Sequence, residues 1–161
     1  MRCAMYTLRK YREEDWEVIL NIFLRAKPDE MRGSCGIEDI VPLDKDENLL
    51  RSFWNSTIII AEHEGKVVGY VGYESNSLIS FLFVDPSYYQ KGIGTELLTR
   101  ILSEVGEKAW LLVAKNNIAA TKLYFEHGFR TVEEFIGKYN GIDVSVLRLA
   151  LTPELQSWRC R

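Results

Sequence analysis

Cysteine is scarce in this sequence, and what there is does not pair. Cys3, Cys35 and Cys160 are odd in number and far apart, with no C-x-x-C spacing. That excludes a disulfide framework, leaves no metal site to expect, and suits a reducing compartment. Histidine is scarcer still, with only His63 and His127. Long apolar runs are missing: "TIIIA" and "FLFV" are far too short to cross a bilayer. The opening "MRCAMYTLRKYREEDW" has no apolar signal-peptide core. Positive charge is not in excess, with a net charge of −3 and no run of Lys or Arg. Binding of nucleic acid through a general basic field is thereby excluded. There is no internal repeat and no low-complexity linker. What remains is an ordinary globular composition, 47% hydrophobic and 27% charged over 161 residues. The expectation is a cytoplasmic protein with no membrane or nucleic-acid partner, monomeric or homodimeric. A single domain over residues 1–150 would be followed by a tail over 151–161.

Periodicity orders the elements. Cys3–Tyr11 reads as a strand, and "REEDWEVILNIFLRA" as a helix with Trp16, Ile19, Leu20 and Phe23 at helical spacing. Lys27 to Ser56 is irregular, broken by Pro28, Gly33, Gly36 and Pro42, with "DENLLRSFW" its best helix. "TIIIAEH" and "KVVGYVGYE" form a hairpin across Glu64–Gly65, and "LISFLFV" is a further strand. "GIGTELLTRILSEV" is a helix that Gly106 ends. "AWLLVA" is a buried strand, "NIAATKLYFEH" a helix, and two last strands join across Asn140–Gly141. This order predicts an α/β (α+β) fold. A mixed, mainly antiparallel sheet of about seven strands carries helices on both faces, with one right-handed parallel β-α-β crossover from Leu78 to Ala114.

Two motifs carry chemistry. In "DPSYYQKGIGTELL" a strand turns into a helix through Gly92 and Gly94. The third glycine of a dinucleotide fingerprint is missing, as is a P-loop's Gly-Lys-Ser/Thr. What is left is a row of N–H groups at a helix N-terminus, with Lys91 adding positive charge, which suits a pyrophosphate. In "NNIAATKLYFEHGF", Asn116 or Asn117 caps a helix on which Ala120, Leu123, Tyr124 and His127 share a face. Taken alone, the first motif also reads as a glycine-eased helix entry and the second as core.

In this order and spacing the two motifs resemble the GNAT superfamily of acetyl-CoA-dependent N-acetyltransferases. Val84 and Pro86, Gly92 and Gly94, and Asn117, Ala120, Leu123, Tyr124, Gly128 and Phe129 carry the resemblance. One departure stands out. The family pattern is Gln or Arg, two free positions, Gly, one free position, then Gly or Ala. Here Tyr89 holds the first place and Gln90 follows it.

The resemblance implies acetyl-CoA as cofactor. Backbone N–H groups of Tyr89, Gln90, Lys91, Gly92, Ile93, Gly94 and Thr95 would hold the pyrophosphate of coenzyme A. The pantetheine arm would pair, strand-like, with Leu82, Phe83 and Val84, in a gap between "LISFLFV" and "AWLLVA". Asn117, Ala120 and Tyr124 would complete the cofactor side. The implied reaction is direct attack of a primary amine, of a small molecule or a peptide, through a tetrahedral intermediate. A strand N–H near Phe83–Val84 would meet the oxyanion, and Tyr124 would protonate the leaving thiolate.

The base stays open among Glu74, a histidine and a water chain. Asp29, Glu30, Glu38 and Asp39 would draw a cationic amine, or simply form a solvated helix face. Trp16 and Trp54 suit core or pocket wall. A non-catalytic acyl-CoA-binding regulatory module is the alternative, supported by Tyr89 and opposed by Tyr124.

Overall fold

The computed structural model describes residues 6–151, so the expectations for Cys3–Met5 and for the tail beyond Leu151 lie outside the described residues. Strand β1 is Thr7–Lys10, β2 Thr57–His63, β3 Lys66–Tyr73 and β4 Ile79–Val84. They pair antiparallel in the order β1-β2-β3-β4. The β2–β3 turn uses left-handed residues at Glu64 (φ 51°) and Gly65 (φ 76°), the geometry that matches strand twist. Strands β5 (Trp110–Ala114), β6 (Phe129–Tyr139) and β7 (Ile142–Leu151) form a second antiparallel sheet in the order β5-β7-β6. The two sheets meet at one parallel bridge, Leu78 to Trp110. Beyond it β4 and β5 part. The mixed seven-strand architecture read from the sequence is present.

Alternation along β2 builds two cores. Ile58 and Ile60 point to one face, Ile59 and Ala61 to the other. The first face is covered by α1 (Trp16–Glu30) and α2 (Glu47–Asn55), through Ile19, Ile22, Phe23 and Phe53. The second is covered by α3 (Ile93–Val105) and α4 (Ile118–Glu126), through Leu97, Leu98, Ile101 and Tyr124. The caps are local chemistry: Asp46 accepts from the Leu49 N–H at 3.1 Å and Asn117 from the Ala120 N–H at 3.3 Å. Trp16 and Trp54 join an aromatic cluster on Phe53, with ring centroids at 5.2 and 5.1 Å.

The first helix differs from its sequence reading. It does not stop at Ala26 but runs through Pro28 to Glu30. Proline in the last turn forfeits one backbone bond, and the turn closes anyway as the Met31 N–H reaches the Lys27 carbonyl at 3.0 Å. Met31 then packs with Ala114 and Val144.

The helix start is pinned by charge. Asp15, 3% exposed, takes a two-pronged bond from Arg9 at 2.7 and 2.8 Å and the Arg12 N–H at 2.8 Å. Arg9 also binds Glu62 at 2.8 Å. The Arg9 guanidinium holds the Asp15 carboxyl below the usual carboxylate range despite burial. A folded pKa below the unfolded one gives stability that is present above about pH 4 and lost as pH falls through the folded value. Asp15→Asn should therefore lower the unfolding free energy by about 1–3 kcal/mol near neutrality. In urea titrations at several pH values, the gap to the parent should close under acid. A gap independent of pH would show that the carboxylate charge is not what stabilises.

Candidate active site

The turn out of β4 is locked before it reaches the glycines. Asp85, 2% exposed, accepts from Arg25 of α1 at 2.5 Å and from the Ser87 N–H at 2.9 Å. After one tight turn over Pro86–Tyr88, Gln90 (φ 60°) and Gly92 (φ 83°) are left-handed. Such residues turn nearby N–H groups toward one side, and a helix start leaves its first N–H groups without partners. Among the described residues no hydrogen bond takes the N–H groups of Gln90 to Thr95. The first helical bond of α3 runs from the Glu96 N–H to the Gly92 carbonyl at 3.1 Å.

The parting of β4 from β5 frees a second row. The Asp85 N–H bonds the Val68 carbonyl at 2.8 Å. Antiparallel pairing alternates, so Phe83 also bonds inward to β3, while the N–H and C=O of Leu82 and Val84 face the opening. A cleft of about 1150 Å³ runs along this edge to the start of α3. Its walls include Leu82, Phe83, Val84, Tyr89, Gln90, Gly92, Ile93, Gly94, Thr95, Asn117, Ala120 and Tyr124. Lys91 is absent from those walls; its ammonium lies 5.4 Å above the Tyr88 ring. Tyr89 reaches across the cleft, donating its hydroxyl to Asp29 of α1 at 3.1 Å.

Tyr124 is 7% exposed, its ring edge-on to Phe129 at 5.8 Å. Among the described residues nothing bonds its hydroxyl. Burial, and then the charge of Glu30, push this phenol well above its ordinary pKa, so it keeps its proton through the neutral range.

The candidate bases lie elsewhere. Glu74 is outside the cleft walls and receives the Ser52 hydroxyl at 2.9 Å. His127 sets its Nδ1 2.9 Å from the Leu123 carbonyl at the end of α4. His63 packs between Tyr6 and Tyr88, with centroids at 5.5 and 5.9 Å. The acidic set divides. Asp39 closes its own turn on the Gly36 N–H at 3.0 Å, and neither it nor Glu38 lines the cleft. Asp29 and Glu30 do line it, but each is paired, with Arg32 at 2.5 Å and Lys27 at 2.9 Å. Sequence reasoning did not single out Lys27, because ending the helix at Ala26 hid its i,i+3 relation to Glu30. The pairing of Lys and Glu across a proline was the one available signal.

Comparison with known proteins agrees with this geometry. The family model described as the acetyltransferase (GNAT) family matches residues 16–129. The chain belongs to the GNAT acetyltransferase family. The UPF0157 protein YqkA of Bacillus subtilis is 36% identical over 90 residues, which are 53% of this chain and 26% of that protein. The chain thus spans about a quarter of that relative's length. A GCN5-related N-acetyltransferase from Rhodopseudomonas palustris shares the fold, with a TM-score of 0.79 at 18% identity over 94% of this chain and 98% of that one. So does yncA of Salmonella typhimurium, solved with its cofactor acetyl-CoA, with a TM-score of 0.65 at 20% identity over 92% and 95% of the two chains. The GNAT cofactor is acetyl-CoA. The unsatisfied N–H row beside a helix start suits its pyrophosphate, and the open β4 edge suits an amide-bearing arm.

A Cβ at Gly94 would meet only Leu123, at 3.4 Å, an ordinary contact. Gly94→Glu should therefore fold, with a melting temperature within about 3 °C of the parent. Its carboxylate at the helix start should weaken coenzyme A at least ~10-fold in calorimetry. Unchanged affinity in the folded variant would remove the loop as the pyrophosphate site.

Proposed function

We propose that this protein is an N-acetyltransferase that moves the acetyl group of acetyl-CoA onto a primary amine, of a small molecule or a peptide. One observation carries the reading. A single cleft joins the N–H row at Gln90–Thr95, the open edge of β4 and the unpaired hydroxyl of Tyr124.

Each part has a task. When bound, acetyl-CoA would supply a thioester carbonyl to which the attacking amine forms a C–N bond, the C–S bond breaking afterwards. The N–H groups of Gln90 to Thr95, with Asn117 and Ala120 on the facing helix, hold the phosphate end. The backbone of Leu82 and Val84 aligns the arm, with Phe83 fixing the strand between them. The N–H of Val84 faces the opening, where a developing oxyanion would accept it. Tyr124 keeps its proton at neutral pH and lines the same cleft as the open β4 edge, so its O–H would donate to the leaving sulfur. The amine loses one proton to solvent before attack and a second as the bond forms, and the second replaces the one Tyr124 gives up. Tyr89 does not contribute the side-chain contact of the family's Gln or Arg, because its hydroxyl is committed to Asp29.

Thiol release from acetyl-CoA across a panel of amines tests the activity. Tight binding with no release from any amine would assign the chain to the non-catalytic acyl-CoA-binding module instead. Tyr124→Phe tests the acid: kcat should fall about 10²-fold, while acetyl-CoA affinity and melting temperature stay close to the parent's. Because burial raises this phenol, the parent's kcat should show no Tyr124-dependent loss below about pH 10. Equal kcat for both proteins at every pH would remove Tyr124 from the mechanism.

A further inference from the structure

The last turn of α1 places one cation and one anion side by side in the cleft wall. The Lys27 ammonium is 2.9 Å from Glu30 Oε1, and its side chain is 8% exposed. It lies over three ring faces, those of Tyr139 at 5.2 Å, Phe23 at 5.6 Å and Phe83 at 5.9 Å. Phe83 belongs to the strand along which the thioester would lie, and Lys27, Glu30, Phe83 and Tyr124 line one cleft. The pair therefore stands at the reacting end of the cleft. The other cleft charges do not. Arg32 holds Asp29 with its own side chain 79% exposed, and Lys122 and Glu126 are exposed on α4.

An ammonium offers three N–H donors, and a carboxylate has room for several. Among the described residues, Glu30 takes one donor of Lys27 and no second acceptor meets the others. Among the described residues Glu30 receives Lys27 alone. The pair is neutral as a whole but strongly dipolar, and aromatic rings screen it poorly from whatever enters. A simple cationic amine would gain from Glu30 and lose to Lys27. An acid without an amine would gain and lose in reverse. A molecule bearing both charges gains twice. Because the two protein charges touch, the matching pair must also be adjacent, with the amine on the carbon that bears the carboxylate.

Resting on the N-acetyltransferase reading, we propose that the acceptor is a free α-amino acid, its carboxylate bound by Lys27 and its amino group by Glu30. Phe81 and Leu49, which also line this end of the cleft, form an apolar wall for its side chain.

The test uses the full chain with acetyl-CoA and matched acceptors: an apolar amino acid, its amide, its decarboxylated amine, and a dipeptide beginning with the same residue. The free amino acid should exceed the other three in kcat/KM by at least ~10-fold, since only it offers a charged acceptor to Lys27 beside the amine. In Lys27→Met the ratio of acid to amide should fall to near one. Should burial of an unpaired Glu30 unfold that variant, the double change Lys27→Met with Glu30→Gln removes both charges and should show the same loss of preference. The parent's ranking tests the proposal independently of either variant. Turnover of the amide or amine as fast as the acid overturns the amino-acid subsite and leaves N-acetyl transfer standing. Equal loss on acid and amide in the variants overturns it as well, by reducing Lys27 to a structural role. Binding of acetyl-CoA with no turnover of any acceptor overturns both readings.

Discussion

The molecule turns on a sheet that fails to close. The chain just ahead of β4 pairs with the start of β5 at Leu78 and Trp110, and the two strands then diverge. A strand edge buried inside a fold would normally be intolerable, because each unpaired N–H and C=O costs what a lost hydrogen bond costs. Here the edge opens into a cleft, so the backbone of Leu82 and Val84 stays available to water or to a ligand that can bond like a strand. The same divergence brings the start of α3 to one end of the opening and the buried Tyr124 to its wall.

Helix α1 ties that opening together from the other side. Its start is held by Asp15 on Arg9, its middle by Arg25 on Asp85, and its end presents Lys27, Asp29 and Glu30 to the cleft. Asp85 sits at the root of the turn that leads to Gly92, and Tyr89 bonds from that turn to Asp29. One helix thus contacts the turn that leads to Gly92 and also lines the cleft with its last turn. Both buried carboxylates on which it rests are paired, and removing one partner of such a pair leaves a charge that the interior cannot solvate.

Electrostatics where α1 lines the cleft is set by pairing more than by composition. Counting acidic residues between Lys27 and Ser56 suggests an anionic wall. In the fold Asp29 and Glu30 are each matched to a cation on their own helical turn, and Asp39 is used up in a turn of its own. The cleft is therefore dipolar, which is a different demand on a substrate from a negative one.

Much of the fold was legible because it is local. The hairpin at Glu64–Gly65, a cap at Asn116 or Asn117, which the fold assigns to Asn117, and the glycine entry to α3 each depend on residues within a few positions, and each of these formed. The two motifs at Gly92 and Asn117 were legible for the same reason, since they are short and continuous. The charge pairing at the end of α1 was not. Whether Lys27 and Glu30 share a helical turn depends on the helix surviving Pro28, which packing of Met31 on Ala114 and Val144 supports. The partner of Tyr89 lies 60 residues away, and Glu74 is held by Ser52 outside the cleft. Such pairings join distant segments, and no periodicity or spacing along a chain encodes which charges will meet once the sheet has parted.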